Sequence, residues 1–140
     1  MLRNFLFFWL KNFKQIQEIF DIQRELEEAG HEVSMPNSYD EPFREEKMKD
    51  EGLEAHAEWK AEMMRRDKEN IEPNNAVLVL NFEKNRQPNY IGGATFLEMY
   101  KAWELGKRLF LYNDLPNNIF RDELLGMNPT VIYGDLTRIK

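Results

Sequence analysis

Apolar residues fall along this chain in two kinds of run. Unbroken runs rich in β-branched and aromatic residues predict strands covered on both faces. Runs spaced by three and four predict helices with one buried stripe. Phe5 to Leu10 is a run of the first kind, and Ala76 to Leu80, flanked by asparagines, is the strongest. "HEVSM" (31–35), "RLFLY" (108–112) and "PTVIYG" (129–134) are shorter strands. Of the second kind, residues 14–29 carry Ile16, Ile19, Phe20, Gln23 and Leu26, and Gly30 supplies the stop. Residues 52–70 are helical in composition, with Leu53, Ala57, Met63 and Met64 among many charges. A third helix runs through "GGATFLEMYKAWELGK" (92–107) to about Leu105, and a short one is expected near 118–126. "PNSYDEPFREE" (36–46) holds two prolines and several turn formers, so it reads as a loop.

Strands alternating with helices imply a parallel sheet with helices on both faces. The expectation is a single α/β domain over residues 1–140, a three-layer sandwich around a five-stranded parallel sheet. Its 140 residues suit one core. Ligands of such sheets bind beyond the carboxyl ends of the strands. That rule puts Asn81, Tyr90, Gly92 and Gly93 at the ligand edge.

Composition narrows the partners. With 42% hydrophobic and 31% charged residues, folding is expected rather than disorder. A net charge of −6 argues against a nucleic-acid polymer, whose phosphates need a basic face, but leaves a small nucleotide open. The chain has no cysteine, which rules out disulfides and thiolate metal sites and makes a cytoplasmic home plausible. The apolar start, "MLRNFLFFWLKNF", has no cleavage site and reads as a strand, not an export signal. It is also too short to span a membrane.

Glu98 is the residue on which function turns. It can be a helix cap, a surface charge or a catalytic carboxylate. "TFLE" reads as a capping box, with Thr95 at the N-cap and Glu98 three residues on. Phe96, Met99, Tyr100 and Trp103 form one apolar stripe, more often core than a base-stacking platform. Glu98, Ala102 and Leu105 form a second row, so the carboxylate stands above apolar material.

Other candidates have plainer readings. Glu54, His56 and Glu58 are two apart and scatter round a helix, so they read as a solvated face and not a zinc site. His31 reads as structural and "RRDKE" (65–69) as solvated, with Asp67 a possible support for the strand end. Tyr39 and Phe43 lie in a long loop that could close over a ligand. Asp122 and Glu123 lie in the short late helix.

The segment 71–112 resembles the nucleoside 2-deoxyribosyltransferase-like superfamily, which includes deoxyribosyltransferases and nucleotide N-glycosidases. Asn81 ends a buried strand, and Thr95, Glu98, Ala102, Gly106 and Lys107 fall in register with the family's pattern. "ELEEAGHEV" (25–33) and "MNPTVIYGDL" (127–136) add to the likeness, which covers about 110 residues. The resemblance implies a flavodoxin-like fold, with Glu98 as nucleophile on the anomeric carbon of a nucleoside or nucleotide. Asn81 would orient sugar or nucleophile, and Tyr90, Gly92, Gly93 and Thr95 would line the substrate site. It further implies a homodimer and no cofactor or metal. Two positions depart from the pattern. Gly92 stands where the family often has Asp, and "LFFWLKNFKQ" lacks the small Gly/Ser turn that approaches the substrate. A non-catalytic nucleotide-binding module that has lost this first loop is therefore the alternative.

Overall fold

A computed structural model describes residues 4–9, 16–34 and 44–139. The elements in chain order are β1 (Asn4–Trp9), α1 (Ile16–Glu28), β2 (Glu32–Ser34), α2 (Arg44–Glu51), α3 (Leu53–Ile71), β3 (Ala76–Leu80), α4 (Gly93–Glu104), β4 (Arg108–Leu111), α5 (Arg121–Met127) and β5 (Thr130–Val131). A 3-10 turn, Leu136–Arg138, follows. The architecture is α/β with a parallel sheet, in the order β2-β1-β3-β4-β5. β1 lies beside β3 in a register that pairs Phe5 with Ala76 and Trp9 with Leu80.

The sheet is parallel because each strand returns through a helix. β3 is buried along its whole length, so its alternate side chains feed two cores. Ala76, Leu78 and Leu80 pack with Ile19, Ile22 and Leu26 of α1, and with Ile132, Leu136 and Ile139 near the end of the chain. Val77 and Val79 pack on the other face with Ile71 of α3, Met99 and Ala102 of α4, and Leu124 and Met127 of α5. Helices therefore cover both faces.

Two glycines stop helices as expected. Gly30 (φ 96°) and Gly106 (φ 74°) adopt the left-handed conformation after α1 and α4. At the second, the Gly106 N–H donates to Trp103 O at 3.0 Å and the Lys107 N–H to Ala102 O at 2.9 Å, which closes the helix end. Lys107 then reaches across, its Nζ donating to the Glu72 carbonyl just past α3 at 2.9 Å. The Gly-Lys pair thus joins two helix ends, away from the carboxyl edge of the sheet.

Several expectations need correction. Residues 44–46 belong to a helix, α2, and not to a loop. Its sequence, REEKMKDE, has a single apolar residue and so no stripe to read. It is held from outside: Met48 is buried, and Glu45 Oε2 takes Lys60 Nζ at 2.6 Å and His56 Nε2 at 3.1 Å from α3. His56 is thus a clasp between two helices, not a solvated group. Gly52 (φ 124°) makes the break between them. In α1 the buried stripe is Ile19, Ile22 and Leu26, while Phe20 is 40% exposed. In α3, Leu53 and Met64 face outward, and Asp67, read as part of a solvated run, is buried. The last strand is only Thr130–Val131 of the expected 129–134. Tyr39, Phe43 and the first loop at 10–15 lie outside the described residues. Among the described residues, no helix is long and apolar enough to cross a membrane.

Candidate functional site

In the order β2-β1-β3-β4-β5 the chain winds one way from β1 and the other way from β3. In sheets of this order ligands generally bind where those directions part, outside the carboxyl ends of β1 and β3. Asn81 directly follows β3 and is 1% exposed. Its Nδ2 donates to the carbonyls of Asn113 (3.0 Å) and Asp114 (2.9 Å), and its Oδ1 accepts from the Asn113 N–H at 2.8 Å. Asn113 answers, its Nδ2 donating to Asn81 O at 3.1 Å. Both amide hydrogens of Asn81 and its oxygen are thereby engaged. The residue is a clamp between the ends of β3 and β4, and acts on any ligand by fixing the edge.

The loop from β3 to α4 is a small closed hairpin. Lys84 and Gln87 exchange backbone hydrogen bonds at 3.0 and 2.9 Å, and the Tyr90 N–H returns to Phe82 O at 3.1 Å. Asn85 (φ 51°) and Arg86 (φ 63°) form its two-residue tip, and Asn89 (φ 57°) follows. The Tyr90 ring lies under the Lys84 ammonium, 5.4 Å from the ring centroid. On the other side the ring presses on Gly92: a Cβ there would stand 3.2 Å from Tyr90 Cε1 and Oη. A side chain at this position would require the tyrosine ring to give by a few tenths of an ångström. Gly93 has open space around it.

Helix α4 does not begin at Thr95. It begins at Gly93 with Gly92 as N-cap and no side-chain cap bond, and the Phe96 N–H donates to Gly92 O at 2.9 Å. The capping box is therefore absent. Two glycines lead the chain into the helix a turn early, Thr95 is buried inside the first turn, and Glu98 falls in the second. The buried face is Thr95, Met99 and Ala102. Tyr100 and Trp103, expected in the core, are 43% and 48% exposed, with rings 5.9 Å apart. The aromatic contact that holds α4 on that side is Phe96 stacked on Phe120, at 4.5 Å.

Glu98 is partly buried on the opposite flank. Lys101, one turn further on, acts electrostatically on Asp67 of α3, and α3 and α4 pack against each other. α4 also contacts β1. Asp67 lies where α3 meets α4. Burial pushes its carboxyl up to about 6, against the opposing pull of Lys60 and Lys101.

A pocket of about 180 Å³ lies between the hairpin and the loop before α5. Tyr90 lines it, whereas Glu98, Asn81 and Thr95 do not. The site residues are therefore split: Tyr90 belongs to this pocket, Glu98 to the second turn of α4, and Asn81 to the frame between β3 and β4. Asn113, Asn118, Arg86 and the burial of Asp67 were missed from the sequence. The signals available for them were the three asparagines in "YNDLPNN" and the asparagine-arginine tip of the hairpin. Among the described residues no group of His, Asp and Glu is placed to hold a metal ion. His31 is buried, while Asp122 and Glu123 are exposed on α5.

Comparison of the chain with family models, with curated proteins and with solved structures finds no match.

Proposed function

We propose that this chain cleaves or exchanges the N-glycosidic bond of a nucleoside or nucleotide, with Glu98 as the nucleophile. The observation that carries the reading is the position of Glu98. It is a partly buried carboxylate on α4, the helix that follows β3, in a sheet whose strand order reverses between β1 and β3. The order β2-β1-β3-β4-β5 fits a flavodoxin-like assignment. The carboxylate attacks the anomeric carbon as the base departs with the bonding electrons, through an oxocarbenium-like transition state. The ester so formed is opened by water in a hydrolase, or by a second base in a transferase. Asn81 serves this chemistry as a positioning residue, through the clamp it makes with Asn113. Tyr90 and Gly92 set the entry to α4, and Thr95 anchors its first turn.

The second reading is a nucleotide-binding module without turnover. The observation on its side is that Asn81 spends both amide hydrogens on backbone carbonyls and is 1% exposed, so it offers no donor to a sugar. The two readings separate by chromatography. The protein is incubated with a panel of nucleosides, deoxynucleosides and their monophosphates, and free base is sought. Release of base from one member supports the enzyme. Binding of a nucleotide without release supports the module.

A further inference from the structure

The hairpin tip holds a residue that local physics disfavours. A two-residue turn with positive φ at both positions prefers Asn followed by Gly, because a side chain at the second position is strained. Here Asn85 is followed by Arg86, at φ 63°. Asn89, also left-handed at φ 57°, makes three such non-glycine residues within five positions. Strain of this kind gathers at sites where a side chain is wanted. Arg86 lines the 180 Å³ pocket.

The pocket is held from both sides. Its second wall is the loop before α5, tied to the first by the Asn81–Asn113 clamp and by Asn118, whose Nδ2 donates to Ile91 O at 3.1 Å. Asn118 Oδ1 accepts from the Phe120 N–H at 2.9 Å, and among the described residues one of its amide hydrogens has no partner. The side chains of Arg86, Gln87 and Asn117 make no hydrogen bond or ion pair with any other described residue. The lining holds one cation, three amides and a phenol, and no carboxylate, in a chain of net charge −6. Pro88, Pro116 and the Tyr90 ring supply flat apolar surface.

We infer that this pocket binds a monosaccharide phosphate, with Arg86 on the phosphate and the amides of Gln87, Asn117 and Asn118 on the hydroxyls. A guanidinium suits a phosphate through its paired donors. Amides, which both donate and accept, suit hydroxyls. The volume is below the roughly 300 Å³ where drug-sized ligands begin, so it admits a single ring. Glu98 does not line the site, which stands or falls independently of the glycosidic reading.

The test uses glucose 6-phosphate and ribose 5-phosphate, with the free sugars and inorganic phosphate as controls. Affinity is measured by calorimetry and position by the side-chain amide resonances of Gln87, Asn117 and Asn118. At least one sugar phosphate binds, shifts those resonances, and binds more tightly than its free sugar or phosphate. Arg86→Gly weakens that binding about tenfold or more, the loss of one charge-assisted contact. It leaves the melting temperature unchanged or higher, since glycine relieves the turn. Glu98→Gln binds as the wild type does. Failure of both sugar phosphates to bind, binding no tighter than that of inorganic phosphate or the free sugar, or binding unaffected by Arg86→Gly overturns the assignment.

Discussion

Asp67→Asn should stabilise this protein at neutral pH and do little in acid. Asp67 is 7% exposed and sits where α3 meets α4. Its two nearby cations are committed elsewhere: Lys60 to Glu45 at 2.6 Å and Lys101 to Glu104 at 3.3 Å. Burial therefore prevails, and the carboxyl is pushed from 3.8 up to about 6. A carboxyl held above its unfolded value stabilises the fold relative to its ionised form only while it is protonated. That contribution is complete below pH 3.8 and is lost as pH rises through about 6. Above pH 7 the ionised group costs about 3 kcal/mol, from 1.36 kcal/mol for each tenfold in proton affinity. Asparagine imitates the protonated acid in shape and in lack of charge. Urea denaturation of both proteins at pH 4 and pH 8 is the assay. The variant should be more stable by about 3 kcal/mol at pH 8 and equal to the wild type within about 1 kcal/mol at pH 4. A difference that does not change with pH, or a variant less stable at pH 8, would refute the reasoning.

Asn81→Ala removes three hydrogen bonds at a fully buried position, and at about 1 kcal/mol each should cost roughly 3 kcal/mol in urea denaturation; a loss below about 1 kcal/mol would show that the clamp is not holding the edge. Gly106→Ala meets no atom within 4 Å and pays only for its positive φ, so roughly 1–2 kcal/mol of stability should go, read from the melting temperature. Self-association is expected through the outer face of α4 and α5, where Leu97, Tyr100, Trp103 and Leu125 are exposed. Light scattering should give about twice the 16.8 kDa chain mass, and a monomer mass at every concentration contradicts it.

How much of this was legible in the sequence depends on where the signal lies. β3 could be read because five successive buried residues leave no ambiguity of face, and the ends of α1 and α4 because Gly30 and Gly106 each do a job only glycine does without strain. α2 could not be read, since one methionine among seven charged residues carries no period and its support comes from α3. The capping box misled because "TFLE" satisfies the local rule, while the two glycines before it start the helix earlier. Tyr100 and Trp103 misled because an apolar stripe does not reveal which of its edges meets the sheet. In α4 that edge is Thr95, Met99 and Ala102. Asn81 was found as a residue but not as a clamp, because its partners are 32 and 33 positions away.

The most direct test of the central claim compares wild type and Glu98→Gln on whichever nucleoside or nucleotide releases base. Gln keeps the size of Glu98 and one of its acceptor oxygens, so the change of one oxygen to an amide should leave the melting temperature close to that of the wild type. Intact-protein mass spectrometry during turnover should show a glycosyl adduct on the wild type, mapped by peptide digestion to Glu98. The variant should show neither adduct nor base release. Equal rates of base release from the two proteins would contradict the account.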